Sequence, residues 1–253
     1  MPSIRRRHGF LSQMEYRFVD CRWALDDPGF GLRAYREAHI PGAAFLDVER
    51  DLAAAPGAEG RHPLPSAEQF AAAASRAGIG PETFVVAYGS LGGAERLWWL
   101  LRHLGHGDCA VFDLDAWHGP LVGGEERIEP AVFEAREQEG DTISRNELAQ
   151  EREQLVVVDA RLEPRWRGEP NPVDRVPGRI PGALNAPWNA LSDESTRSLP
   201  AGDVVAYCGS GVTACVVLHR LHLAGREGRL YPGSWSEWEQ YPELPVERST
   251  PVD

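Results

Sequence analysis

The chain has 253 residues, 42% hydrophobic and 25% charged, which suits one large domain or two compact ones with real cores. No run approaches the ~18 apolar residues of a membrane-spanning helix, and a formal charge of −12 argues against broad binding to nucleic acid or anionic lipid. All 26 basic residues are arginine, so any anion site must be built from guanidinium groups, backbone N–H groups and helix ends. The opening Arg5-Arg6-Arg7 precedes His8-Gly9-Phe10-Leu11-Ser12-Gln13, too polar and short for a signal core, and the chain reads as cytoplasmic. The four cysteines, Cys21, Cys109, Cys208 and Cys215, form no CxxC pair. Neither a zinc knuckle nor a dithiol redox centre is indicated, and free thiols are expected.

Taken in chain order, the sequence is written twice. Phe18-Val19-Asp20-Cys21-Arg22 returns as Val157-Val158-Asp159-Ala160-Arg161, and His39-Ile40-Pro41-Gly42-Ala43 as Arg179-Ile180-Pro181-Gly182-Ala183. Phe84-Val85-Val86-Ala87-Tyr88-Gly89 returns as Asp203-Val204-Val205-Ala206-Tyr207-Cys208. The offsets of 139, 140 and 119 residues put a deletion in the second copy before its last repeated strand. The missing piece is expected to be the one that Ser66 to Gly78 supplies in the first copy, a helix with Ser66 as N-cap and Ala71–Ala74 inside it.

Short apolar strands alternating with helices predict parallel sheets covered on both faces. Glu125–Asp141, rich in Glu, reads as a linker, and Ser144-Arg145-Asn146-Glu147 as a helix start. The expected fold class is α/β, with domains at 1–124 and 142–253 around the linker 125–141. Each domain is expected to be a mostly parallel sheet flanked by helices.

The chemistry points to Tyr207-Cys208-Gly209-Ser210-Gly211-Val212-Thr213-Ala214-Cys215. A strand ends at Cys208, small residues follow, and a helix is expected from about Val212, with Cys215 two turns into it and inert. This puts a thiol at the C-terminal end of a sheet, where ligands bind in α/β folds. Gly209 and Gly211 let successive N–H groups turn inward as an anion nest, and the helix N-terminus adds positive potential. Both favour a thiolate nucleophile. Cys21 and Cys109 lie in or beside strands and read as structural.

This loop resembles the active-site loop of tandem rhodanese-type sulfurtransferases, in particular the 3-mercaptopyruvate sulfurtransferases. The paired Ile-Pro-Gly-Ala segments, the Asp-x-Arg strand ends and Leu230-Tyr231-Pro232-Gly233-Ser234-Trp235-Ser236-Glu237-Trp238 share the likeness. The resemblance implies a catalytic second domain and a first domain without its cysteine, and Gly89 stands where Cys208 does. It implies Cys208 and Ser210 as catalytic, with Gly209, Gly211, Val212 and Thr213 facing the substrate. Thiosulfate-using members resemble one another in placing basic residues after the cysteine; Gly209 and Ser210 look instead like the mercaptopyruvate type. Related phosphatases need an arginine six positions after the cysteine, and Ala214 stands there.

Mercaptopyruvate carries a carboxylate, which calls for a guanidinium fork. By resemblance Arg165 faces the donor, Arg175 is the second donor-binding arginine, and Arg161, repeated by Arg22, is structural. Asp47 and His62 resemble first-domain residues that face the active site, with Asp47 orienting a histidine that titrates near neutral pH. The expected reaction moves sulfur from a small anionic donor through a Cys208 persulfide to cyanide or a thiol, such as thioredoxin or a low-molecular-weight thiol. No metal or organic cofactor is required. A thiosulfate:cyanide sulfurtransferase, a persulfide carrier or redox sensor with slow turnover, and a non-catalytic module are the other readings.

Overall fold

The computed structural model describes residues 15–249; the Arg5-Arg6-Arg7 segment lies outside the described residues. The first half runs β1 (Glu15–Cys21), α1 (Phe30–Glu37), β2 (Ala44–Phe45), α2 (Ala67–Arg76), β3 (Thr83–Gly89), α3 (Gly93–His103) and β4 (Cys109–Val111). The second runs α4 (Arg145–Glu151), β5 (Val156–Asp159), α5 (Glu163–Arg167), β6 (Leu184–Asn185), α6 (Asp193–Ser198), β7 (Val204–Tyr207), α7 (Ala214–Leu223), β8 (Arg229–Leu230) and α8 (Ser234–Trp238). The sheets have the orders β2-β1-β3-β4 and β6-β5-β7-β8, and every pairing within them is parallel. The expected α/β class, in two tandem copies, is what the chain adopts.

The repetition extends to single hydrogen bonds. Asp20 pairs with Arg22 and Asp159 with Arg161, each at 2.6 Å, and each arginine also reaches a carbonyl ahead of the Ile-Pro-Gly turn, Ala38 or Gly178. The hydroxyls of Tyr88 and Tyr207 accept from the N–H groups of Ile40 and Ile180. Gly42 N–H donates to Glu126 and Gly182 N–H to Glu247, so one later glutamate closes each turn. Arg161 is buried, its charge held by Asp159 and Asp174, so it belongs to the scaffold as Arg22 does.

The deletion in the second half lies elsewhere than expected. Ser66 does cap α2, accepting from Gln69 N–H at 3.1 Å, but the second half keeps a counterpart in α6, shorter and closed by a Ser192–Ser195 capping box. What the second half mostly lacks is the excursion between Phe45 and Ala67, because Asn185 and Asp193 are joined by a short connection. That extra loop of the first half crosses to the second. Gly60, at φ +103°, packs so closely that a Cβ there would lie 2.7 Å from the Gly233 carbonyl oxygen.

The two halves share one apolar core. Val19, Leu97 and Leu101 of the first join Ala206, Val217 and Leu221 of the second in a single buried cluster. Between them α3 faces α7, with Trp98 edge-on to His219 at 4.8 Å. The segment 125–141 has neither helix nor strand from 125 to 138 and runs back along the first half, where Arg136 and Gln138 N–H donate to the Leu104 and His103 carbonyls. The Ser144 helix start forms as expected, as a capping box with Glu147.

Candidate active site

β7 ends at Tyr207, and Cys208 follows at the C-terminal edge of the sheet. Its backbone is held from beneath by the Gly233–Trp238 turn. Ser234 Oγ accepts from Cys208 N–H at 3.1 Å, Trp235 N–H donates to the Cys208 carbonyl at 3.0 Å, and Ser236 N–H to that of Gly209 at 2.9 Å. The aromatic turn therefore positions the loop. The loop runs through Thr213, and α7 begins at Ala214, two residues later than expected. Cys215 accordingly sits in the first turn of α7.

Gly211 N–H donates to Cys208 Sγ at 3.1 Å, and among the described residues it is the one amide bonded to that sulfur. Gly211 has φ +81°, and a side chain there would also strike the Pro232 carbonyl, so glycine is required for this approach. The helix behind the loop adds its N-terminal potential. Burial disfavours the thiolate at the other three cysteines. Burial pushes the Cys215 and Cys109 thiols up to about 12, and that of Cys21 well above its usual value.

Cys208 opens onto a cleft of about 240 Å³ lined by both halves: Trp23, Leu25, Arg61 and Leu91 from the first, and Arg165, Leu162 and Trp188 among others from the second. Gly209, Ser210, Val212 and Thr213 line it too; Gly211 does not. A larger depression of about 430 Å³ lies in the first half, but it holds no thiol, and Arg36, Arg50 and Arg76 there are paired with Glu125 and Asp51.

Arg165 reaches the cleft as expected by position. Asp174 binds it twice, at 2.8 and 2.5 Å. Burial alone would raise the Asp174 carboxyl, but the bond from Arg165 and the charges of Arg165 and Arg161 hold it below its usual value. Arg175 is placed differently from the expectation. Asp174 turns inward to the arginines, the next side chain turns out, and Arg175 is exposed and absent from the cleft lining. Two further arginines line the cleft: Arg161, whose charge Asp159 and Asp174 hold, and Arg61, which has no ion-pair partner among the described residues.

His62 arrives on the same first-half loop, with Nδ1 2.7 Å from Ser210 Oγ and the ring buried edge-on to Trp23. Burial, with the charges of Arg96 and Arg61, lowers its pKa to about 4, so it does not titrate near neutral pH as expected. Asp47 does not orient it. The Asp47 carboxylate accepts from Glu49 and Arg50 N–H at 2.9 and 3.1 Å and serves its own turn. The carboxylate facing His62 is that of Glu49, 3.8 Å from Nε2. This contact is longer than a hydrogen bond; a proton on Nε2 would face Glu49 and leave Nδ1 to accept from the Ser210 hydroxyl.

Arg96 on α3 was also not foreseen. It is fully buried and donates to the carbonyls of Leu52, His62 and Pro63 in the first half and of Gly211 in the second, at 3.1–3.3 Å. Among the described residues no carboxylate pairs with it, so a buried positive charge stands beneath the cysteine loop. The signal for Arg61 and Glu49 was the loop that only the first half carries; Arg96 gave none, because arginines on helices are commonly solvated.

Comparison with known proteins agrees with this geometry. A family model described as Rhodanese-like domain matches residues 9–117 and 144–241. The chain is 41% identical to a Pseudomonas aeruginosa protein named "Probable 3-mercaptopyruvate sulfurtransferase", over 93% of each chain. It is 31% identical to the Arabidopsis thaliana "Thiosulfate/3-mercaptopyruvate sulfurtransferase 2", over 96% of this chain and 85% of that one. The solved structure of the 3-mercaptopyruvate sulfurtransferase from Leishmania major superposes with a TM-score of 0.79 at 30% identity, covering 89% of this chain and 70% of that one. The chain belongs to the rhodanese-like domain family, of which it carries two tandem copies.

Proposed function

We propose that the chain is a sulfurtransferase that takes sulfur from 3-mercaptopyruvate onto Cys208 and passes it to a thiol or to cyanide. The observation that carries this reading is the placement of Cys208 Sγ at an arginine-bearing cleft with an amide directed at it. The relatives' names supply the donor class.

The Cys208 thiolate attacks the donor's sulfur, the S–S bond forms, and the C–S electrons leave on carbon as the pyruvate enolate. The thiol proton of the donor must then reach that carbon. Ser210, bonded to neutral His62, is the group that relays it. Arg165 binds the donor's carboxylate while Asp174 keeps its fork in place. Gly211 N–H, which bonds Sγ at rest, supports the persulfide left behind. An acceptor thiolate or cyanide takes the outer sulfur and restores Cys208. No step requires a metal or organic cofactor.

Residues 1–124 are read as the domain without a nucleophile, 125–141 as the linker and 142–253 as the catalytic domain. The acceptors that fit are small thiols or a protein thiol of the thioredoxin kind. Four free cysteines suit a reducing cytoplasm. Thiosulfate is the second reading for the donor, since the Arabidopsis relative carries both donors in its name.

Steady-state assays with each donor decide between the two. Mercaptopyruvate is expected to give the higher kcat/KM, and Cys208→Ser to lose turnover with both. A higher value with thiosulfate moves the chain to the other donor, and full activity in Cys208→Ser ends the proposal.

A further inference from the structure

We infer that Arg61, a residue of the half without a nucleophile, is the second anion-binding group of the Cys208 cleft and sets its preference for carboxylate-bearing donors. The inference deepens the sulfur-transfer reading and rests on it for the identity of the donor.

The first observation is convergence. A methyl group built on Gly209 would lie 2.9 Å from Arg61 Nη2 and 2.9 Å from Arg165 Nη2, so two guanidinium ends from different halves meet beside the nucleophile. Gly209 is thereby explained, because a side chain there would take the space the two forks share. Such convergence of like charges is unfavourable by itself. It holds down the Arg61 pKa together with burial, which is the larger cause.

The second observation is that the two arginines are held differently. Arg165 has its charge met by Asp174. Arg61 has no carboxylate within ion-pair distance among the described residues. Its Nη1 donates to the Val173 carbonyl at 3.3 Å, its Nε is buried without a partner, and Nη2 faces the cleft. The charge left to be neutralised is that of Arg61, in a chain whose surplus of acidic residues supplies none here.

Third, the Arg61 backbone is anchored to the catalytic half. Its N–H donates to Ser236 Oγ at 3.0 Å, and Ser236 N–H in turn holds the Gly209 carbonyl. One serine thus fixes both Arg61 and the loop it faces, and this pre-organisation lets a guanidinium select an anion without an ordering cost. The ligand class is a small carboxylate whose reacting atom lies within a few bonds of its charge, as in a 2-oxo acid bearing a thiol.

The test reads charge at Cys208 without requiring turnover. Cys208 is alkylated with iodoacetate, an anion, and with iodoacetamide, its neutral counterpart, and modification is followed on the Cys208 peptide by mass spectrometry. Arg61→Gln is expected to slow iodoacetate about 10- to 100-fold, the range for one charge-assisted hydrogen bond, while iodoacetamide changes by less than about twofold. Arg61→Lys is expected to recover part of the iodoacetate rate. In turnover, Arg61→Gln is expected to raise KM for mercaptopyruvate more than it lowers kcat.

Equal slowing of both reagents in both variants, or no change in either, overturns the inference. If selectivity for iodoacetate falls in Arg61→Gln but the unaltered chain turns over no mercaptopyruvate, the anion site stands and the donor assignment fails.

Discussion

His62 shows how one buried residue ties chemistry to stability. Its pKa falls from 6.5 to about 4 through burial and the charges of Arg96 and Arg61, so the ring is neutral at pH 7 and free to accept from Ser210. The unfolded chain takes up this proton below pH 6.5 and the folded chain only near pH 4. Stability from this group is therefore whole above pH 6.5 and is lost as the pH falls towards 4, by about 3 kcal/mol in all. His62→Gln is expected to flatten the fall in unfolding free energy across that window and to lower kcat about 100-fold, with Cys208 still alkylated by iodoacetamide. An unchanged slope together with an unchanged kcat would contradict both roles. At this scale the glycine-rich loop named Cys208 from its chemistry and the family resemblance named Ser210, His62 and Arg165; all four lie at or beside the cleft. The sequence was less legible for Arg61 and Arg96, whose meaning depends on contacts with the second half, and for Glu49, which meets His62 only once their shared loop has folded. Arg175 was carried over by resemblance onto an irregular loop, where Asp174 turns inward and Arg175 is exposed.

The repeated strand, loop and helix units differ in what their first loops allow. In the first half Gly89 ends β3 where Cys208 follows β7, and the backbone has closed over the position. A Cβ on Gly89 would lie 2.8 Å from the Cys21 carbonyl oxygen and 3.1 Å from Ala94 N. The corresponding loop serves as wall: Gly92 packs against Val212 and Thr213, and Leu91 and Trp23 line the cleft of the other half. Gly89→Cys is therefore expected to cost about 1–3 kcal/mol of stability and to create no second reactive thiol. Denaturant unfolding with thiol counting checks this, and a stable variant with a second alkylated site would contradict it. Strand ends, the α2 and α4 caps and the order of elements were readable from periodicity and capping residues. The starts of α6 and α7 were not. Ser192 caps only a short helix, and the glycine-rich turn before Ala214 stays out of the helix while Gly211 bonds the sulfur.

Across the whole molecule, duplication has divided the labour between two similar halves. The second supplies Cys208, the proposed nucleophile, while the first supplies Trp23, Arg61, His62 and the buried charge of Arg96, and one continuous core joins them. A chain with a formal charge of −12 carries a cleft lined by guanidinium groups, which set local positive charge against the overall negative balance. Four thiols are present in one chain; burial pushes those of Cys21, Cys109 and Cys215 up, and Cys208 Sγ is the one that accepts from a loop amide. The most direct test of the account is the mass of the protein and of its cysteine peptides after treatment with mercaptopyruvate in the absence of acceptor. One added sulfur atom per chain is expected, on the Cys208 peptide, removed by cyanide or a thiol. No added sulfur, or sulfur on Cys21, Cys109 or Cys215 with Cys208 unmodified, would contradict it.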